Sequence, residues 1–335
     1  MKNRNILMTV SILIFLGIFI NPSFAESSGR FAIIFATGGL GDKSFNDSAM
    51  DGIKLAGKKF GIRYDYAEPK AIAEYQTYMS QFANTRKYDL IISIGFDQAD
   101  ALGQVASRFK NQKFAIVDMV VKKPNVASFI FKEEQRGFLM GYAAALMTTR
   151  KGDTRINSKK VIGVVGGMKV PLIDANIAGY IAGARFADPS VNVLHTYVGI
   201  WTDPAKGKEL TLSMLEKGVD VVWGPAGRSG LGVINAAKEK KCYAIGTDSN
   251  QDYLAPKYVL TNGMKYVGTT VVIAIEQVLK KSFSAESHLL GIKENALGYT
   301  RSILPEDIIV KLEALKKKII AGEIQIPATV EAAIK

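Results

Sequence analysis

An apolar strand that runs into two adjacent glycines and then into a helical pattern occurs twice in this sequence. FAIIFATGG (31–39) leads to a helix over Ser48–Phe60, and VIGVVGG (161–167) leads to one near Ile173–Phe186. Both apolar runs are short, rich in Ile, Val and Phe, and closed by glycine, which marks buried strands rather than helices. Strands and helices alternate around each of them. The strands are Ile62–Ala67, Leu90–Ile94, Phe114–Val117 and Val126–Phe131 in the first half, and Val191–Tyr197, Val219–Trp223, Tyr243–Gly246 and Val259–Asn262 in the second. A parallel partner strand is reached only through a crossover of about a dozen residues or more, so this spacing predicts parallel βαβ units. The expected fold class is α/β, with two doubly wound lobes of similar size joined by a hinge.

Polar TTRKGDTRINSK (149–160) separates the halves, and several elements remain after the second. They are a helix over Tyr266–Lys281, a strand or hairpin over Leu289–Thr300, and a helix over Pro305–Ile320 that opens with acids in its first turn. The expected division is 26–148 plus about 264–300 for the first lobe and 149–263 plus about 301–335 for the second, with three crossings between them.

The chain opens with Lys2 and Arg4, an apolar run Ile6–Ile20, and a break at Asn21-Pro22-Ser23-Phe24-Ala25. This pattern reads as a signal peptide cut near Ala25, since fifteen apolar residues fall short of the ~20 that a membrane span needs. No cysteine lies near the cut, so a periplasmic or secreted protein without a lipid anchor is expected. Cys242 is the sole cysteine and the two histidines, His195 and His288, are far apart, so neither a disulfide framework, a metal site nor a cofactor is expected. Loss of Lys2 and Arg4 leaves 41 basic against 31 acidic residues, a net charge of +10. These charges are dispersed and do not interleave with aromatics, which speaks for a solvated basic surface and against nucleic-acid binding. A monomer is expected.

In open α/β sheets, ligands collect at the carboxyl ends of the strands. Those ends bring together Thr37–Asn46, Gly95-Phe96-Asp97, Asp118, Gly166-Gly167-Met168, Gly199-Ile200-Trp201, Trp223-Gly224-Pro225, Asp248-Ser249-Asn250 and Lys265. In the first stretch a glycine turn meets a helix start, where backbone N–H groups and the helix dipole are expected to face a ligand. It is not a phosphate loop, because Asp42 separates Gly41 from Lys43, and the dinucleotide pattern fails at Ser44. Asp118 and Asp248 fall at equivalent places in the two halves, which favours a functional role over helix capping. Phe45 and both tryptophans, Trp201 and Trp223, could equally be core residues.

Several of these stretches carry a resemblance. GGLGDKSFND (38–47), FAIVD (114–118), FLMGYAAALM (138–147), WTDPAKGKE (201–209), GPAGRSGLGVINAAKEK (224–240), AIGTDSNQ (244–251) and LTNGMKYVG (260–268) resemble, in order, the motifs of the basic membrane protein (BMP) family. That resemblance implies the type I periplasmic-binding-protein fold, two Rossmann-like lobes with a hinge. It also implies an extracytoplasmic solute-binding protein of an ABC importer that delivers a purine nucleoside to a permease and ATPase complex. By the same resemblance Phe45 stacks on the base, Asn46 makes a polar contact, Asp118 recognises the base, and Asp248 and Lys265 contact the ribose. The sequence departs from the family at Ala36 and Asn250, where acids are usual, and in lacking the lipidated cysteine.

Chemistry sharpens the expectation. Phe45 and one tryptophan, Trp201 or Trp223, would sandwich a flat ring, with Gly224 beside the latter. An ionised Asp118 only accepts hydrogen bonds, which suits guanine, whose N1–H and exocyclic amine are adjacent donors. Guanosine or inosine is therefore expected ahead of adenosine. A sugar or signalling-molecule receptor of the same fold is the alternative. Nucleoside hydrolysis would call for an Asp-rich metal site that these scattered acids do not suggest, so no enzyme is expected.

Overall fold

The computed structural model describes residues 29–335, so the expected signal peptide lies outside the described residues. The first half supplies β1 (Arg30–Ile34), α1 (Phe45–Phe60), β2 (Arg63–Ala67), α2 (Tyr75–Thr85), β3 (Leu90–Ile94), α3 (Ala99–Arg108), β4 (Phe114–Val117) and β5 (Val126–Phe131). The middle supplies α4 (Glu133–Thr148), β6 (Val161–Gly166), α5 (Pro171–Ala187), β7 (Asn192–Tyr197), α6 (Pro204–Glu216), β8 (Val219–Trp223), α7 (Gly230–Lys240), β9 (Tyr243–Asp248) and β10 (Val259–Lys265). The end adds α8 (Val267–Leu279), β11 (Ser287–Leu290), β12 (Leu297–Tyr299), α9 (Glu306–Ile320) and α10 (Val330–Ile334).

Two six-stranded sheets result, ordered β11-β5-β4-β3-β1-β2 and β12-β10-β9-β8-β6-β7. The orders are the same apart from numbering, and every pairing is parallel except β10 with β12. This is the doubly wound α/β class that the strand–helix alternation predicts.

The boundary between lobes differs from the expected one. Helix α4 follows β5 directly and reads as its crossover, yet it packs on α5, α9, β8 and β10 of the second lobe. The reason is steric: a Cβ added at Gly137 or Gly141 of α4 would fall 2.0 or 1.9 Å from the backbone of α5, and Gly179 and Gly183 face α4 just as closely. Only glycine lets the two helix backbones approach this near. Helix α8 crosses back to pack on α1, where Gly52 meets Gly268, and β11 completes the first sheet. The stretch expected as one strand or a hairpin is two strands in different sheets, because β12 joins the second. The crossings therefore follow β5, β10 and β11, and residues from about 133 and from about 297 belong to the second lobe.

Candidate ligand-binding site

The carboxyl ends of β1, β3 and β4 face those of β6, β8 and β9 across a cleft. A cavity of about 80 Å³ lies within it, lined by both lobes.

The turn between β1 and α1 is built differently from expectation. Gly39 and Gly41 have φ of 67° and 86°, as a tight glycine turn requires. Its backbone N–H groups, however, are largely satisfied within the protein. Ala36 N donates to Asn46 Oδ1, Thr37 N to the Tyr75 hydroxyl, Leu40 N to Glu68, and Gly41 N to Asp47. Asp42, buried at 1% exposure, accepts from Ser44 N, Asn46 N and Asp47 N at 2.9–3.2 Å. The amino end of α1 thus holds the protein's own carboxylate where a ligand anion was conceivable. Burial pushes Asp42 up to about 6, against those three amide bonds. The turn instead positions side chains: Phe45 and Asn46 both line the cavity.

Three aromatic rings line the cavity. Phe45 opens α1, Phe96 follows β3, and Trp201 follows β7, its indole lying against Gly167, which has no side chain to displace it. Phe96 meets Trp201 edge-on with centroids 6.3 Å apart. Trp223 does not join them. It is fully buried, stacked on Tyr180 at 5.7 Å with Arg136 above its ring, so it is a core residue. Gly224 also lies outside the cavity lining and is backed by Val233 of α7.

Behind the rings lies a buried ionic network. Lys265 Nζ sits 2.6 Å from both Asp118 Oδ1 and Glu133 Oε1. Arg136 contacts Glu133 at 2.8 Å and Asp248 at 2.5 Å, and Asn176 donates to Glu133. Three carboxylates face two cations, an excess of one negative charge. Burial raises Asp118 to about 6 despite Lys265 beside it. Burial opposes ionisation of Glu133 too, but Arg136 and Lys265 hold it below the usual carboxylate range. Burial disfavours the Lys265 charge, and the Asp118 and Glu133 carboxylates outweigh that and raise it. Asp118, Asp248 and Lys265 all line the cavity, as does Arg136, which the sequence reading passed over. Lys265, expected beside Asp248, is bonded instead to Asp118 and Glu133.

The lips of the cleft touch. Ser44 Oγ donates to Asp248 Oδ2 at 2.5 Å, Gln251 Nε2 to Lys43 O at 2.9 Å, and Arg228 Nη2 to Leu40 O at 2.6 Å. Each joins the first lobe to the second.

Two linked sheets around a cleft fit what comparison finds. The Bmp family, described as ABC transporter substrate-binding protein PnrA-like, matches residues 31–330. The chain belongs to this family. It is 34% identical over 283 residues to an uncharacterized lipoprotein of Pyrococcus horikoshii, covering 81% of this chain and 68% of that one. Basic membrane protein A of Borreliella afzelii is 30% identical over 302 residues, covering 87% and 89%. Among solved structures, an ABC transporter solute-binding protein of Aeropyrum pernix K1 superposes with a TM-score of 0.82 at 28% identity, covering 91% of this chain and 95% of that chain. A periplasmic solute-binding protein of Actinobacillus succinogenes with bound D-allose shares the fold, with a TM-score of 0.65 at 13% identity over 83% of this chain and 99% of that chain. The type I periplasmic-binding architecture is thus that of ABC transporter solute-binding proteins, and the family is one of binding rather than catalysis.

Proposed function

We propose that this protein binds a purine nucleoside, guanosine or inosine ahead of adenosine, between its lobes and delivers it as a monomer to an ABC permease and ATPase complex. The observation that carries this reading is one cavity lined both by rings for a flat base, Phe45 and Trp201, and by the buried carboxylate groups of Asp118 and Asp248. A planar base stacks on the rings and offers N–H groups to Asp118, while hydroxyls of a ribose both donate and accept, matching Asp248 and the Lys265 ammonium. Closure of the lips over the ligand supplies the signal for delivery.

On this reading the protein acts outside the cytoplasmic membrane and returns its ligand chemically unchanged. Calorimetry with guanosine, inosine, adenosine, cytidine and ribose tests it. Purine nucleosides are expected to bind and ribose to bind weakly. Adenosine binding tenfold tighter than guanosine removes the Asp118 argument, and tight binding of ribose alone makes the protein a sugar receptor.

A further inference from the structure

Asp97 lies one short turn beyond β3, in the cavity lining, and neither the ionic network nor the lip contacts use it. One of its oxygens, Oδ2, accepts from the Tyr75 hydroxyl at 2.9 Å, and that hydroxyl in turn accepts from Thr37 N at 2.9 Å. Tyr75 is fully buried, so this relay fixes the carboxylate from a rigid part of the lobe. The other oxygen is aimed differently. A Cβ placed on Gly95 would lie 3.1 Å from Asp97 Oδ1, 3.2 Å from Ala36 Cβ and 3.9 Å from Phe45 Cε1. Oδ1, the Ala36 methyl and the edge of the Phe45 ring thus all border the space beside Gly95, which has no side chain of its own to fill it. Strand β3 pairs with β4, with Ile94 beside Val117, so Asp97 and Asp118 project from neighbouring strand ends. Burial raises Asp97, while the bonds from the Tyr75 hydroxyl and from its own backbone N–H favour its ionised form.

We propose that Asp97 is a specificity-determining residue: its Oδ1 accepts a hydrogen bond from an exocyclic amine on the stacked base, while Asp118 takes the adjacent ring N–H. The inference rests on the nucleoside reading and deepens it. Two acceptors on adjacent strand ends match two adjacent donors on a guanine edge, and inosine lacks the second donor. The site therefore prefers guanosine to inosine.

The test is calorimetry of the whole protein, wild type, Asp97→Asn and Tyr75→Phe, with guanosine, inosine and ribose. Wild type is expected to bind guanosine about ten- to a hundredfold tighter than inosine, the range for a hydrogen bond to a charged group. Asp97→Asn presents a donor where the carboxylate accepted, so it removes that preference and leaves inosine affinity within about threefold. Tyr75→Phe, which frees the carboxylate from its relay, narrows the preference partway. Equal binding of guanosine and inosine by wild type overturns the inference while the nucleoside reading stands, and does so whether or not the variants fold. An equal loss for all three ligands in Asp97→Asn also overturns it, because that marks a structural role. Failure of wild type to bind any nucleoside overturns the nucleoside reading itself.

Discussion

Asp118 and Asp248 close corresponding strands of the two sheets, both in the left-handed region with φ of 76° and 64°, and each is gripped by a buried cation from the second lobe. Lys265 holds Asp118 from across the cleft, whereas Arg136 holds Asp248 within its own lobe. Non-glycine residues rarely adopt this backbone conformation, Asp and Asn being the usual exceptions. A strained turn at both strand ends, each stabilised by a salt bridge, aims a carboxylate into the cavity. The shared device explains why both acids stand out in the sequence at matching positions.

Replacement of Asp248 separates its roles. Asp248→Ala leaves Arg136 with Glu133 as its one bonded carboxylate, beside Asn176, and puts a residue unsuited to positive φ at the strand end, so a stability loss of about 3–5 kcal/mol is expected. Asp248→Asn tolerates the backbone and still accepts from Ser44, so its melting temperature stays closer to wild type. Nucleoside affinity is expected to fall by about 2–5 kcal/mol in Asp248→Asn and free-base affinity much less. Calorimetry with guanosine and guanine measures both, and equal losses would show that Asp248 does not contact the sugar.

The two tryptophans are expected to behave oppositely. Trp201→Ala should cost about 1–3 kcal/mol of nucleoside binding, the value of base–aromatic stacking, with little change in ribose binding. Trp223→Ala, by contrast, empties a fully buried site and should cost about 3–5 kcal/mol of stability. Urea denaturation and calorimetry on the pair check this, and a Trp201 variant with unchanged guanosine affinity would remove the stacking slot.

That difference was partly legible in the sequence. Trp223 is the last residue of VDVVW, and the two-residue period puts it on the same face as Val221, toward α4 and α5, while Val222 faces the other core. Trp201 follows its strand and is free of that alternation. The β-strand rhythm and glycine turns reveal two lobes because both are local patterns. Helix α4 escaped the same reading, since FLMGYAAALM is apolar all round and periodicity cannot say which sheet covers it. Arg136 had a signal, however: Glu133 and Arg136 share a face of a helix otherwise mostly buried, and charges in such a place need partners. The bonds that satisfy the β1–α1 turn are another matter, because Tyr75 and Glu68 approach from elsewhere in the chain.

Phosphorylated ligands are expected to be refused. Asp42 fills the amino end of α1, and Asp97, Asp118 and Asp248 also line the cavity against Arg136, Arg228 and Lys265, two of which are already paired with carboxylates. A like charge set beside buried carboxylates costs several kcal/mol. Guanosine 5′-monophosphate should therefore bind at least about a hundredfold more weakly than guanosine. Comparable affinities in competition calorimetry would mean that the phosphate finds one of the cations.

The pH dependence of binding follows from Asp118. Burial raises its folded-state pKa to about 6, above the ~4 of an unfolded aspartate. The folded state therefore holds the proton more tightly. Its contribution to stability is fully present below about pH 4 and is lost as pH rises through about 6. Binding of guanosine runs the other way, because only the ionised carboxylate accepts from the ring N–H. Guanosine affinity should climb by up to about tenfold per pH unit from pH 5 to 6 and level off above about 7, with a proton released on binding near pH 6. Asp97 is raised as well and faces the same cavity, so Asp118→Asn is the control that assigns the effect. In that variant guanosine affinity should drop and most of the pH slope disappear. Titrations in buffers of different ionisation enthalpy count the released proton. A guanosine affinity that is flat from pH 5 to 8 in the wild-type protein would show that Asp118 does not serve as the acceptor.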